Sequence, residues 1–309
     1  MTAVAAATQP AVGVIVGPTA SGKTDLALAV AQHLAVEIVC ADSRQVYRRM
    51  DVGTAKPTRA QRAAVPHHLV DLADPDEPFS VAQWVASARR LLPEIAERGR
   101  LPLIVGGTGL YVSALLDGFD FDSQPWSPAI RRRLTEELAS DGLVALAERL
   151  RRLAPVIAVR TDLRNPRRVL RALERAEQGS VLPPAAVAYS GPARLVGLTR
   201  PRDVLAARIE ERARGMFAGG LLDETRALMA AGHTIELPAL SGHGYREAAG
   251  VLAGEWDVAR AIEITALRTR QYAKRQMTWF RRDPRISWLD LGDRPAAAAV
   301  DAALRVLRG

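Results

Sequence analysis

The chain has 309 residues, of which 48% are apolar, and this length predicts an α/β core with a sizeable insertion or a second domain. Its only cysteine, Cys40, excludes an internal disulfide and a cysteine zinc cluster, while the absence of any apolar run near ~20 residues and of signal-peptide features predicts a cytoplasmic protein without membrane association. The formal net charge of +8 favours a polyanionic partner such as nucleic acid, although arginine enrichment is also what a GC-rich genome produces.

The first predicted strand, Val12 to Val16, leads into a glycine-rich segment and then into an apolar-periodic helix, Leu26 to Leu34. The segment between them fits the pattern G-x-x-x-x-G-K-[ST] in its strand–loop–helix context. Backbone N–H groups of such a loop converge on an anion, and the helix N-terminus adds its positive dipole end. Lys23 would reach phosphate oxygens, and the Thr24 hydroxyl would bind Mg²⁺. The predicted phosphate site consists of Gly17, Pro18, Thr19, Ala20, Ser21, Gly22, Lys23 and Thr24.

A second buried strand is predicted over Val36 to Ala41, and polar residues follow it directly. Ligands of parallel sheets lie beyond the carboxyl ends of the strands, so Asp42, Ser43 and Gln45 should open onto the same cleft as the phosphate loop. Asp42 is interpreted as a metal-associated carboxylate or a general base. The alternative is a helix N-cap, which Asp-Ser after a strand often supplies.

The segments that follow carry weaker signals. Residues 51–58 are turn-rich and predict a surface loop, and His67-His68 is interpreted as structural because no further ligands stand at metal-binding spacing. Ser80 and Gln83 have capping-box spacing, which predicts a helix over residues 81–98 that Pro93 would kink or divide.

A third strand, Leu101 to Val105, runs into a segment with three glycines in four positions, residues 106–109. Glycines allow the backbone to approach a ligand closely, and the end of a parallel strand points into the cleft. A tight strand-to-helix turn is the alternative interpretation.

Residues 122–194 change in character and predict a helical insertion between the two parts of the core, residues 1–121 and 195–309. A proline-bearing stretch, residues 123–128, would be the linker. The insertion carries a candidate nucleic-acid face, although a solvated helix surface is equally plausible for any one arginine. Its arginines are Arg131, Arg132, Arg133, Arg151, Arg152, Arg167, Arg168 and Arg171.

After the insertion, residues 193–198 resume a strand pattern, and residues 202–231 predict a helix that Gly219-Gly220 interrupts. Arg208 and Arg212 are four residues apart and would share one helix face, where they could clamp an anion or form surface ion pairs with neighbouring glutamates.

Residues 261–280 predict an amphipathic helix with an apolar stripe, and residues 286–289 and an Ala-rich helix close the chain. Outside the stripe, basic, amide and aromatic side chains are interleaved, which suits phosphate contacts and base stacking. The alternative is a solvated face. Arg270, Lys274 and Arg275 are the candidate nucleic-acid-binding residues of this helix.

Seven segments in this order resemble the bacterial tRNA dimethylallyltransferases, which prenylate N6 of adenosine-37, just 3′ of the anticodon. The segments are GPTASGKT (17–24), ADSRQVY (41–47), VGTAKP (52–57), PHHL (66–69), VGGTGLY (105–111), RVLRALE (168–174) and TRQYAKRQMTWF (269–280). Two departures from the family pattern are the residues that precede Gly244-Tyr245-Arg246 and the pair Gly179-Ser180.

The resemblance implies an α/β fold with a P-loop parallel-sheet core and a helical insertion domain, in a monomeric enzyme. It implies that Thr19 to Thr24 hold dimethylallyl diphosphate with Mg²⁺, and that Thr19, Lys23, Thr24 and Asp42 are catalytic, with Asp42 hydrogen-bonding or deprotonating the adenosine amine. It also implies contacts to the tRNA anticodon stem-loop by Asp42, Ser43, Arg44, Gln45, Thr108, Arg131, Arg167, Arg168, Val169, Leu170, Arg171, Tyr245 and Arg246.

Two other functions use the same phosphate loop. An ATP-dependent small-molecule or nucleotide kinase accounts for the loop and for Asp42 but leaves the basic segments without a role. An RNA-binding P-loop ATPase accounts for the basic segments without prenyl transfer.

Overall fold

A computed structural model describes residues 9–118, 127–179 and 187–309. The chain divides into two compact units, Met1–Leu116 with Tyr189–Gly309, and Asp117–Ala188. The boundary expected at residues 121/122 and most of the predicted linker, residues 123–126, lie outside the described residues.

The larger unit contains a parallel β-sheet, as the sequence predicts. Its strand order is β3-β2-β4-β1-β5-β6, so the phosphate-loop strand β1 lies between β4 and β5. Every residue of β1 and β2 is buried, which agrees with their near-continuous apolar sequences because helices cover both faces of such sheets. The strands are β1 (Val12–Val16), β2 (Val36–Cys40), β3 (His67–His68), β4 (Leu101–Gly106), β5 (Ala193–Thr199) and β6 (Ile286–Asp290).

The α-helices of the described residues are α1 (Lys23–Ala31), α2 (Arg59–Ala64), α3 (Val81–Glu97), α4 (Gly109–Ser113), α5 (Pro128–Leu153), α6 (Pro155–Arg160), α7 (Pro166–Glu177), α8 (Arg202–Ala218), α9 (Leu221–Ala230), α10 (Tyr245–Leu252), α11 (Val258–Phe280) and α12 (Val300–Arg308). A π-helical turn, Ala114–Gly118, follows α4. No helix within these residues is long and apolar enough to cross a bilayer.

Helix α3 begins with the predicted capping box, in which Ser80 Oγ accepts from the Gln83 backbone N–H and the Gln83 side chain accepts from that of Ser80. It then runs uninterrupted through Pro93 to Glu97, so the expectation of two shorter helices is wrong. The apolar face of α3 packs against β4. We attribute the continuity to this packing, which offsets the hydrogen bond that proline removes.

Within the smaller unit, residues 127–179 are almost entirely helical, and α5 packs against α7. Val169 and Leu170 belong to its apolar core, so their side chains do not lie at its surface, and their predicted contacts with tRNA stay predictions. Arg167 and Arg168, which precede them, are exposed. Arg131 donates to the buried carboxylate of Glu174 at 2.8 Å, so a structural ion pair already engages this guanidinium.

Candidate active site

The phosphate loop connects β1 to α1 in the predicted strand–loop–helix arrangement. Gly17 has φ +146° and Gly22, the N-cap of α1, has φ +100°, conformations that side chains rarely adopt. A Cβ at Gly17 would also lie 2.7 Å from the carbonyl oxygen of Leu198 on β5. The two glycines are therefore required for the loop to curl between its neighbouring strands.

Lys23 folds back over this loop, and its Nζ donates to the carbonyl oxygen of Pro18 at 2.7 Å. Burial, reinforced by the nearby Arg212 guanidinium, lowers the pKa of Lys23 to about 7, while the Asp42 carboxylate acts in the opposite direction. The pKa of the Lys23 amine thus lies near pH 7, and a bound phosphate would favour the charged form of the amine.

Three arginines support the loop from the β5 side. Arg208 Nε donates to the Ala20 carbonyl oxygen at 3.0 Å, and Arg212 Nη1 donates to Thr19 Oγ1 at 3.3 Å. These two side chains therefore face the phosphate loop rather than the neighbouring surface glutamates. Arg200, which the sequence reasoning missed, is buried and donates through Nε to the Ser21 carbonyl oxygen at 3.0 Å.

Asp42 follows β2 at the same end of the sheet. Its Oδ1 accepts from the Arg44 backbone N–H at 2.8 Å and from that of Gln45 at 3.4 Å, so the carboxylate stabilises a tight turn, and turns rather than a helix follow it, which makes the helix N-cap interpretation wrong. The Asp42 charge opposes the burial that lowers the pKa of Lys23 and adds to the burial that raises the pKa of Tyr272. The structure thus brings Asp42 and the phosphate loop into one electrostatic environment.

Thr108 joins the glycine-rich loop to the Asp42 turn. Its Oγ1 accepts from the Ser43 backbone N–H at 3.0 Å, and its own N–H donates to the Ala41 carbonyl oxygen at 3.1 Å. A Cβ at Gly106 would lie 2.0 Å from that same oxygen, so only glycine allows this approach. Residues 106–109 therefore form the wall of the site next to Asp42, as predicted from the strand end.

The side chains of Arg44 and Gln45 form hydrogen bonds within the protein. Arg44 donates to the carbonyl oxygen of Ala239 at 3.3 Å and to Ser241 Oγ at 3.0 Å. Gln45 Nε2 donates to the carbonyl oxygen of Thr54 at 3.2 Å. The two side chains anchor the surrounding loops to the Asp42 turn, and their predicted tRNA contacts stay predictions.

Tyr245, a predicted tRNA contact, is fully buried. Its hydroxyl donates to Glu224 Oε1 at 2.7 Å, and the same carboxylate accepts three backbone N–H groups, those of Asp51, Val52 and Gly53. In this position the Tyr245 side chain supports the loop at 51–53, and its predicted contact with tRNA stays a prediction. Arg246, one residue later, is exposed.

The 51–58 segment is more deeply anchored than a surface loop. Lys56 has a fully buried side chain, and its Nζ lies 2.7 Å from Asp51 Oδ1 and from Asp71 Oδ1. The neighbouring pair His67-His68 is structural as interpreted, with His68 Nε2 2.6 Å from Glu37 Oε2. No group of three or more metal-ligating side chains occurs among the residues that the structure describes.

Helix α11 lies on the site and buries part of the predicted apolar stripe, including Ala266, Ala273 and Phe280. Arg270, Lys274 and Arg275 are exposed, as the interleaved basic pattern predicts. The buried Gln276 was not predicted as a site residue. Its burial could have been predicted, since it stands three residues after Ala273 and four before Phe280 on one helical face.

Comparison with known proteins agrees with this architecture. Residues 45–283 match the family described as IPP transferase, and residues 10–66 match isopentenyl transferase. A tRNA dimethylallyltransferase of Anaeromyxobacter dehalogenans is 48% identical over 89% of this chain and 93% of its own. That of Symbiobacterium thermophilum is 43% identical over 96% and 94%.

Among solved structures, the tRNA isopentenylpyrophosphate transferase of Bacillus halodurans is 37% identical with a TM-score of 0.71 and covers 97% of both chains. A eukaryotic dimethylallyltransferase is similar in fold, with a TM-score of 0.74 at 24% identity over 96% of this chain and 77% of its own. The family match and the identity of these relatives along most of both chains establish that this chain belongs to the tRNA dimethylallyltransferase family, the IPP transferases.

Proposed function

We propose that this protein transfers a dimethylallyl group from dimethylallyl diphosphate to N6 of adenosine-37 in tRNA and releases diphosphate. The observation that carries the proposal is the placement of Asp42 and the phosphate loop in one electrostatic environment at the carboxyl ends of the parallel strands β2 and β1, which β4 separates. A proton acceptor and an anion cradle are the two groups that this substitution requires. The proposal describes a monomer that acts in the cytoplasm.

In the proposed reaction, the target adenosine leaves its stack in the anticodon loop and enters the site. N6 forms a bond to the allylic carbon while the bond from that carbon to the diphosphate oxygen breaks. Asp42 accepts the N6 proton, and the electron pair of the broken bond stays on the diphosphate. Lys23 and the loop N–H groups stabilise that developing charge, which we expect to be the largest contribution to the rate.

Mg²⁺ is part of the proposal through Thr24, whose side chain is half-buried in the first turn of α1 beside Lys23. Magnesium commonly binds through a few protein oxygens together with substrate phosphates, and the Thr24 hydroxyl with the diphosphate is a ligand set of that kind. When bound, the ion would supply additional positive charge for the leaving group.

Binding of tRNA is assigned to exposed basic residues. Arg270, Lys274 and Arg275 on α11 are exposed, and so are Arg167 and Arg168 at the start of α7. Exposed guanidinium and ammonium groups contact phosphates without a large desolvation cost, so these side chains are suited to position the RNA backbone.

The deciding experiment incubates the protein with radiolabelled dimethylallyl diphosphate and an unmodified tRNA in the absence of ATP. Prenyl transfer predicts label in the RNA, at adenosine-37 after nuclease digestion. A kinase or an RNA-dependent ATPase predicts no label without ATP. A tRNA with guanosine at position 37 is the matched control, and labelling of that RNA would contradict the assignment of N6.

A further inference from the structure

The buried side chain of Gln276 on α11 is hydrogen-bonded at both ends of its amide. Oε1 accepts from the Thr19 backbone N–H at 2.8 Å, and Nε2 donates to the Gly107 carbonyl oxygen at 2.8 Å. Gln276 is 6% exposed, so these bonds are shielded from water. One side chain therefore connects the phosphate loop to the glycine-rich loop beside Asp42.

The chemistry of this bridge suits a primary amide. The amide offers an acceptor and a donor on one uncharged, planar end, so one glutamine side chain pairs with both backbone groups. A glutamate at position 276 would still accept from Thr19 but would set a second oxygen against the Gly107 carbonyl oxygen. A leucine would leave both backbone groups buried and unpaired, which is unfavourable for each of them.

Close packing keeps α11 and the glycine-rich loop together. A Cβ at Gly107 would lie 2.2 Å from Gln276 Nε2, and one at Gly109 would lie 2.4 Å from the Trp279 ring. Trp279 lies one helical turn after Gln276 and donates through Nε1 to Ser113 Oγ at 3.0 Å. Two neighbouring side chains of α11 thus contact one loop, and its glycines are what permit the contact.

The two bridged loops have different tasks under the proposed function. Thr19 belongs to the loop that we assign to the diphosphate of the donor. Gly107 precedes Thr108, whose hydroxyl accepts from the Ser43 backbone beside Asp42, the residue that we assign to the acceptor amine. We propose that Gln276 is a positioning residue that fixes the distance between the donor loop and the acceptor loop, an inference that rests on the proposed function.

Such a role affects the reaction more than it affects the binding of either substrate. Each loop keeps its other contacts when the bridge is lost, since three arginines hold the phosphate loop and Ser43 holds Thr108. A displacement of about 1 Å between reacting groups can lower a rate about 100-fold. The expected signature is a reduced kcat with both substrates still bound.

The test compares Gln276→Glu and Gln276→Leu with the same substitutions at Gln32, an exposed glutamine that follows α1 and lies outside the basic face of α11. We expect kcat for prenyl transfer to fall about 100-fold in both Gln276 variants while the Kd of each substrate changes less than about threefold. The Gln32 variants should match the wild type. Equal kcat in wild type and Gln276 variants, or a loss fully explained by a smaller folded fraction, would overturn the inference.

Hydrogen exchange of the Thr19 amide, followed by NMR, gives a readout independent of turnover. Exchange should be faster in Gln276→Leu and unchanged in Gln276→Glu and Gln32→Leu, because only leucine at position 276 removes the acceptor of the Thr19 N–H. Unchanged exchange in Gln276→Leu would overturn the bridge itself. A wild-type protein that transfers no prenyl group would overturn the proposed function, whereas an active wild type with unaffected Gln276 variants would overturn only this inference.

Discussion

At the scale of single residues, Asp42 combines a structural and a chemical task. Its Oδ1 accepts from the backbone of Arg44 and Gln45 and so shapes the turn after β2. The proposed mechanism uses Oδ2 of the same carboxylate to accept the N6 proton. The turn uses one carboxylate oxygen and leaves the other for the proposed role as a base, so the two tasks are compatible in one side chain.

The Asp42→Asn substitution separates these tasks, because the amide oxygen can still accept from the turn but the side chain no longer takes up a proton. We expect turnover to fall about 10²–10⁴-fold, the range of general acid–base catalysis, with tRNA affinity retained. Single-turnover labelling and a separate tRNA-binding measurement check this. Asp42→Ala is the companion variant, which should also weaken tRNA binding; near-wild-type turnover of Asp42→Asn would contradict the base assignment.

The lowered pKa of Lys23 predicts that the protein takes up a proton when the donor binds. At pH 8, above the lowered pKa of about 7, the Lys23 amine of the free protein is mostly neutral. The bound diphosphate favours the ammonium, so binding should take up close to one proton. Calorimetric titration with dimethylallyl diphosphate in HEPES and in Tris measures this uptake, because the apparent enthalpies differ by the ionisation enthalpy of the buffer. Lys23→Met should show no buffer dependence.

The same pKa shift has a consequence for stability. Between about 7 and the ordinary value of 10.5, the unfolded chain holds a proton on Lys23 that the folded protein lacks. The free energy of unfolding of the wild type should therefore rise with pH in that window relative to Lys23→Met. A flat difference between the two proteins would show that the amine stays charged in the folded state.

Residues that act through backbone partners were the least predictable from sequence. The glycine pattern of the phosphate loop has a fixed spacing, so Gly17 to Thr24 could be recognised directly. Gln276 and Arg200 instead bind carbonyl and N–H groups far away in the chain, and such partners leave no local pattern. Tyr245 shows the reverse case, since its place in a conspicuous motif suggested RNA contact although the side chain is buried.

At the scale of elements, strands with long apolar runs were predicted within one or two residues, while β3 was missed because two residues carry no periodicity. The start of α3 was predicted well because its capping-box signal is local, whereas the capping box of Thr58 and Gln61 at the start of α2 was missed. The anchoring of the loop at residues 51–53 could not be predicted, since it depends on Glu224 of α9.

Substitution of Glu224 therefore tests how the loop at residues 51–53 is anchored. Glu224→Gln replaces one carboxylate oxygen with an amide that cannot accept from the loop, so we expect the free energy of unfolding to fall by about 1–3 kcal/mol. Denaturant titration measures the change. Asp223→Asn, at an exposed neighbouring position of α9, is the matched control and should change it by less than about 0.5 kcal/mol. Equal effects of both substitutions would contradict the anchoring role.

At the scale of the whole molecule, the net charge of +8 and the exposed basic residues predict salt-dependent tRNA binding. Replacing Arg270, Lys274 and Arg275 by glutamine should lower the slope of log K against log salt by about 2, at roughly 0.7–0.9 per phosphate contact. Filter binding between low and physiological salt measures the slope. Arg214 and Arg226, which pair with acidic neighbours on their own helices, serve as control positions. An unchanged slope in the triple variant would mean that these three side chains do not contact RNA phosphates.

The division into two units shows what composition can reveal. Arginine density and proline-rich punctuation indicated a helical segment between two parts of a sheet, and the described part of the smaller unit is helical. Composition did not reveal which arginines are already neutralised inside the unit, because that depends on buried partners such as Glu174.

Because lysines are few, chemical labelling of amines can follow separate events in the unmodified protein. The sequence holds three lysines in three different environments. Lys23 lies in the phosphate loop, the buried Lys56 side chain forms ion pairs, and Lys274 lies on the exposed face of α11. Acylation by an amine-specific reagent, mapped by mass spectrometry, would then record donor occupancy at Lys23, RNA occupancy at Lys274 and global opening at Lys56. One reagent and one unmodified protein would follow all three events along a titration.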